Sequence, residues 1–300
     1  MPDADDSTRV TFPRGALHGT STVLQVIECV AGTGVITAET PFHPLDHTWP
    51  DQPADHGTIG IAGQVLQVHD CVTGARRHGS DTMTLGADIP ARRGDADWSW
   101  YVVHLVDVPF ADCVDVVGQA ATLEVDGARR ARLSACHTAC HLMAFALNQA
   151  LAPRWRKSPK VDSLGNPDFD ALAITSSRIG LGSSIDTYRL GKSLRKRGFA
   201  VAATEELPSL TDALGDVASE VTSRLNEWIA SDAAVRIRTP DDYLTSPREW
   251  VCGLPRGAAS VRCGGTHVHR LGQLGRVGVT AELTEDTTML TVVTNPVGRG

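Results

Sequence analysis

Two short stretches some 120 residues apart each carry a pair of metal-competent side chains spaced by four. His137 and His141 lie in Ser-Ala-Cys-His-Thr-Ala-Cys-His-Leu-Met, and Cys263 and His267 in Arg-Cys-Gly-Gly-Thr-His-Val. A tetrahedral zinc ion takes four nitrogen and sulfur donors of this kind. If both pairs serve one ion, the chain must fold so that residue 141 returns against residue 263. The apolar run after His141 reads as helix, where positions four apart share a face. Gly264 and Gly265 let the backbone turn closely between thiol and imidazole. The bland alternative is a buried helix with two hydrogen-bonded histidines and an unrelated glycine turn. Spacing alone does not decide, because His43 and His47 repeat it in Pro-Phe-His-Pro-Leu-Asp-His-Thr-Trp-Pro, which prolines bar from being a helix interior.

The residues inside the pairs exclude some metal chemistry. A protease of the His-Glu-x-x-His type needs a glutamate beside its first ligand, and Thr138 stands there. Structural zinc fingers keep their ligands close in sequence, whereas here an ion would join distant parts of a finished fold.

At 300 residues and 42% hydrophobic content the chain can bury a sizeable core. It has no run of 18 apolar residues, and its first residues are acidic and polar, so the expectation is a cytoplasmic protein with no membrane segment. Seven scattered cysteines fit a reducing compartment without disulfides, with Cys136 and Cys140 as small packing residues one position off the ligand face. The net charge of −7 is unevenly spread: residues 151–200 hold ten Lys/Arg against four acidic residues. A basic stretch on an acidic protein suits local RNA phosphate binding at Arg189, Lys192, Arg195, Lys196 and Arg197, with no DNA expected, or it is a solvated loop.

The pattern predicts an α+β protein. Strands are expected at Thr22–Cys29, Gly34–Glu39, Gly57–Asp70 and Tyr101–Val108, forming a small β-barrel interrupted by a loop at 41–53. Leu133, His137, His141, Met143 and Leu147 mark a helix that ends near Pro153, and an inserted loop follows at about 154–172. A strand is expected at Ala171–Thr175. Ser209 opens a helix whose apolar face is Leu210, Leu214, Val217, Val221, Leu225 and Trp228. Further strands are expected at Ala234–Arg238, Ser260–Val268, Val277–Leu283 and Met289–Thr294. The domain reading is a flexible N-terminus at 1–19, a β-barrel domain at 20–126 and an α+β domain at 127–300.

With His-Thr-Ala-x-His-Leu at 137–142 and Cys-Gly-Gly-Thr-His-Val at 263–268, the sequence resembles the editing domain of alanyl-tRNA synthetases and its free-standing AlaX relatives. Asp126 to Leu133 resembles the approach to the family's first zinc motif, and Gly182-Ser183 a turn after its first helix. Leu225-Asn-Glu-Trp-Ile-Ala resembles its second helix, and Leu271-Gly-Gln-Leu-Gly the continuation of the cysteine motif. The likeness runs from about residue 20 to 297.

The resemblance implies a translation-factor-like barrel followed by a zinc-bearing editing domain, with Zn2+ on His137, His141, Cys263 and His267. The implied activity is hydrolysis of the ester of mischarged aminoacyl-tRNA, reached at its acceptor end and in trans, because no aminoacylation domain is present. Gln52 and Thr266 are the candidate catalytic residues, and Ser183, Gly264 and Gly265 would line the substrate. The family's glycine-rich loop ending in glutamine is replaced by Phe42-His-Pro-Leu-Asp-His-Thr-Trp-Pro-Asp-Gln, which keeps Gln52 but is bulkier and stiffer. The resemblance suggests serine or glycine, and a small hydroxy amino acid such as serine, or a threonine-like or non-protein one, is expected. Two other function classes compete: a zinc hydrolase of small esters or amides, and a non-catalytic RNA-binding protein with a structural metal.

Overall fold

Alternation of apolar and polar residues at 18–29 and 64–77 produces the two longest strands of the first half, each with one face turned to a core. The computed structural model describes residues 7–30 and 32–297. Two units can be distinguished. The first comprises the chain to Ala131 with Ile237–Arg248 and Gly264–Thr266, and the second Arg132–Arg236, Glu249–Cys263 and the chain from His267 onward.

In the first unit the strands are β1 (Arg9–Val10), β2 (His18–Cys29), β3 (Gly32–Thr37), β4 (Glu39–Thr40), β5 (Gly57–Ile61), β6 (Gln64–Arg77), β7 (Met83–Leu85), β8 (Trp98–Val106) and β9 (Ala120–Val125). Seven of them form one sheet in the order β5-β9-β2-β3-β8-β6-β7, and β5 also pairs with β6. Six strands therefore close into a ring of hydrogen-bonded neighbours, which leaves no free edge among them. Val23, Val35, Ile59, Val68, Trp100, Val102 and Leu123 belong to its buried core. β1 and β4 pair in parallel outside this sheet.

Two expectations change here. Residues 7–19, expected within a flexible N-terminus, carry β1, a 3-10 turn at Phe12–Arg14 and the start of β2; residues 1–6 of that expectation lie outside the described residues. The single strand expected at Gly57–Asp70 is a hairpin, because Ala62 and Gly63 both adopt positive φ, 52° and 80°, as a two-residue turn requires. The 41–53 loop makes its own order. Asp46 accepts hydrogen bonds from the Thr48 and Trp49 amides and pairs with Arg93, while Asp55 accepts from the His43 amide and pairs with Arg130.

The second unit holds most of α1 (Gly127–Ala150), then α2 (Phe169–Ala173), β10 (Ile174–Ile179), β11 (Ser184–Arg189), α3 (Lys192–Lys196) and α4 (Leu210–Ala230). β12 (Val235–Arg238) leads into 237–248, and β13 (Glu249–Leu254), β14 (Gly257–Arg262), β15 (Arg276–Leu283) and β16 (Met289–Val297) follow. A four-stranded antiparallel sheet has the order β10-β11-β16-β15. α4 begins at the expected cap, where the Ser209 hydroxyl accepts from the Asp212 amide, and Asn226 fastens it to β15 by bonds to both the carbonyl and the amide of Val277. From Leu133 to Leu147 α1 is enclosed almost all round, as a helix with little polar face must be.

Two sequence-derived strands are otherwise here. Ala171–Ala173 belongs to α2, because the Asp168 side chain caps a helical turn at the Ala171 amide. β14 ends at Arg262, and 263–268 is irregular. The inserted segment at 154–172 is pinned by a bridge between Trp155 and Phe199 and by the Asn148 side chain, which reaches Asp162 and Asp168. Among the described residues no cysteine is joined in a disulfide. Cys140 packs with Leu133, Cys136 and Ile179 as expected, yet its thiol also faces the Asp186 carboxylate at 3.4 Å. Burial, reinforced by Asp186, holds that thiol well above the ordinary value. Among the described residues no helix is long and apolar enough to cross a membrane.

Candidate metal centre

α1 is capped by Asp126, whose carboxylate accepts from the Arg129 amide, and its alanine-rich sequence carries the helix past both histidines without a break. His137 and His141 therefore face one side one turn apart, with ring centroids 4.8 Å from each other. The His267 ring lies 4.5 Å from His137 and 5.1 Å from His141. Cys263 Sγ is 3.4 Å from His137 Nε2 and 3.2 Å from His267 Nε2. One ligand atom from each of the four residues lies within 4.8 Å of all the others. Donors at zinc bond lengths stand about 3.5 Å apart around a tetrahedron. Both distant pairs thus meet in the second unit, and the four side chains can hold a metal ion.

The chemistry of the donors fits that ion. Among the described residues His141 Nε2 is buried without a hydrogen-bond partner, a costly state for a polar nitrogen unless something is meant to occupy its lone pair. Burial first, and the neighbouring His137 second, hold His141 well below the ordinary imidazole value, so its ring is neutral and able to ligate. Thr138 settles the tautomer of His267. Its hydroxyl donates to the Ser134 carbonyl at 2.8 Å, which leaves its oxygen to accept from the Val268 amide and from His267 Nδ1, each at 3.2 Å. With Nδ1 carrying the proton, Nε2 presents its lone pair beside Cys263. Sequence reasoning used Thr138 only to exclude a protease and missed this role. A threonine four residues after a helical serine and beside a ligand position was the available signal.

Trp250 was also missed. It is fully buried on β13, its ring lies 5.3 Å from His141 and 6.2 Å from His267, and it stacks on Phe145 at 6.3 Å. These aromatic rings exclude water from one side of the histidines, which strengthens any charge interaction there.

Gln52 and Thr266 are both buried, at 1% and 4% exposure, and they bond to each other within the first unit. Gln52 Nε2 donates to Thr266 Oγ1 at 2.9 Å, and the Thr266 amide donates to Gln52 Oε1 at 3.0 Å. The glutamine amide is thereby committed to holding the turn that precedes His267. Neither Gly264 nor Gly265 has a positive φ among the described residues, and a Cβ on Gly264 would lie an ordinary 3.7 Å from the Arg93 guanidinium. Ser183 is half-buried in the turn joining β10 to β11, where its carbonyl accepts from the Gly180 amide. Arg189, Lys192, Arg195, Lys196 and Arg197 are all exposed, from the end of β11 through α3. The decoy pair lies in the first unit, where burial lowers the pKa of His43 to about 3.

Replacing Gln52 with alanine is expected to loosen the turn before His267 and weaken metal binding by at most about tenfold, since Gln52 bonds no candidate ligand directly. Competition against a chelating dye measures this, and unchanged affinity would show that the turn holds itself.

No known family profile matches the sequence. The chain is similar to the alanine–tRNA ligase of Burkholderia thailandensis, with 26% identity over 264 residues that cover 84% of this chain and 24% of the ligase. The alanine–tRNA ligases of Burkholderia mallei and Burkholderia pseudomallei are each 25% identical over 264 residues with the same coverage. The chain spans about a quarter of the length of the curated relatives it matches.

Proposed function

We propose that the chain is a zinc-dependent hydrolase that removes a wrongly attached amino acid from tRNA, acting by itself in the cytoplasm as AlaX proteins do. The observation that carries this reading is the convergence of His137, His141, Cys263 and His267 on one point, from two stretches set in the order of the editing-domain motifs. Similarity to alanine–tRNA ligases over 84% of the chain supports a tRNA-linked role. In this reading the closed six-strand ring is the translation-factor-like barrel and the second unit is the editing domain.

When bound, zinc supplies positive charge that can orient the ester or favour the negative charge developing as water attacks its carbonyl. The protein's own groups do the rest. Three neutral imidazoles and a thiolate fix the ion, and Thr138 keeps His267 in the ligating tautomer. Gln52 and Thr266 act as a positioning pair for the turn, since both are occupied with each other. Ser183 and the Gly264-Gly265 backbone are assigned to the amino-acid side, and Arg189, Lys192, Arg195, Lys196 and Arg197 to RNA phosphates. A hydroxyl amino acid such as serine is the favoured substrate, because a pocket built for a hydroxyl strongly rejects an analogue without one.

The test is a panel of tRNAs, each charged with its correct and incorrect small amino acids, incubated with the zinc-loaded 300-residue chain. Hydrolysis confined to a mischarged pair, lost on chelation and restored by zinc, is the expected result. Equally fast cleavage of free aminoacyl esters would point to a small-ester hydrolase instead. Tight tRNA binding without turnover would leave the metal a structural part.

A further inference from the structure

The segment after α1 and the segment after α3 run side by side. The Arg156 amide donates to the Gly198 carbonyl and the Ala200 amide to the Arg154 carbonyl, each at 2.9 Å, on either side of the Trp155–Phe199 bridge. Gly198 makes the approach possible: its φ is +105°, and a Cβ there would stand 2.9 Å from the Lys157 backbone nitrogen. The start of α4 is tied to the same pair of segments. The Leu210 amide donates to the Val201 carbonyl at 2.8 Å, and the buried Arg154 guanidinium donates to the Pro208 carbonyl at 3.2 Å. Together they border an open cavity of about 520 Å³ in the second unit, lined by Arg156, Lys157, Arg195, Ser209, Thr211 and Thr287 among others.

Its electrostatics are one-sided. Among the described residues Arg156, Lys157 and Arg195 form no ion pair with any carboxylate, and neither do Lys196 and Arg197 beside them. Lys157 Nζ donates to the Lys196 carbonyl and Arg195 Nε to the Leu190 carbonyl, so two of the cations are held in place by backbone rather than neutralised by acid. Thr211 lies in the first turn of a 21-residue helix, and its amide finds no acceptor among the described residues. Three unneutralised cations and a free amide at a helix start, around a space of ligand size, suit a phosphate group.

We infer that this cavity is a phosphate pocket that takes a phosphate carried on a nucleotide. The pocket is built by the inserted segment, the basic run and the start of α4. Assigning the nucleotide to RNA rests on the tRNA reading above, whereas phosphate recognition does not. Arg156 and Lys157 thereby join the five basic residues assigned to RNA from the sequence.

Binding of an uncharged RNA hairpin, of AMP and of inorganic phosphate to the full chain tests the proposal without any hydrolysis. Arg156→Glu should weaken RNA binding about tenfold and lower the slope of log affinity against log salt by about one. Arg195→Gln should act in the same direction. Arg256→Glu, in the exposed turn between β13 and β14, should do neither. RNA binding that millimolar AMP does not displace identifies an RNA phosphate, and AMP binding that disappears in Arg156→Glu identifies a free nucleotide; both support the pocket. Variants at Arg156 and Arg195 that melt like the wild type and bind all three probes unchanged would overturn it. So would an equal loss in Arg256→Glu. A chain that binds RNA through this pocket but hydrolyses no charged tRNA would sink the deacylase reading alone.

Discussion

Cys263→Ala is expected to abolish stoichiometric zinc binding, lowering affinity by well over about 100-fold, since changes to groups that merely support ligands already cost 10–100-fold. Cys263 is the one anionic donor, and its sulfur stands within 3.4 Å of two of the three ligating imidazoles. Its loss leaves three neutral nitrogens around a divalent charge. The proposed hydrolysis of mischarged tRNA should fall in parallel, and His141→Ala should do the same by removing the imidazole whose Nε2 has no hydrogen-bond partner among the described residues. Metal analysis after dialysis and single-turnover deacylation measure the two effects. A Cys263→Ala protein that keeps one tightly bound zinc would remove the thiol from the ligand set.

Arg130→Ala is expected to destabilise the first unit by about 3–5 kcal/mol, the cost of stranding a buried charge. Arg130 Nε donates to Asp55 Oδ1 at 2.8 Å, and the Asp55 side chain has no exposed surface. Asp55 in turn accepts from the His43 amide at 2.6 Å, and Arg130 donates to the Pro41 carbonyl at 2.8 Å. The pair thus ties down both ends of the start of the 41–53 loop, where the glycines of the editing-domain pattern are missing. Arg270→Ala gives the contrast, because Arg270 and Asp232 are 59% and 46% exposed and such pairs contribute about 0–1 kcal/mol. Urea unfolding should therefore separate the two variants clearly. If Arg130→Ala and Arg270→Ala shift the midpoint alike, the buried pair does not organise the loop. The double change Asp55→Asn with Arg130→Met should recover much of the loss, since it removes both charges together.

How much was legible in the sequence follows from the range of each interaction. α4 could be read to the residue, because its cap at Ser209 and its apolar stripe are local signals. The four clustered side chains were picked out by the resemblance of their two motifs to the editing-domain pattern rather than by spacing, which His43 and His47 repeat. The hairpin at Ala62–Gly63 was hidden because Ala-Gly is a weak turn signal, and only the positive φ of both residues reveals it. α2 read as a strand because its five residues are too few for helical periodicity to show, and its determinant is the Asp168 cap. The commitment of Gln52 to Thr266 spans 214 residues, so nothing near either residue announces it. The phosphate pocket was half visible as excess positive charge at 151–200, but its shape depends on Gly198 admitting Lys157.

The most direct measurement of the central claim is X-ray absorption at the zinc edge on the metal-loaded chain. Three nitrogen scatterers near about 2.0 Å and one sulfur near about 2.3 Å are the expected shell for His137, His141, His267 and Cys263. A shell of oxygens without sulfur, or a chain that retains no zinc after dialysis, would contradict a single ion held by these four side chains.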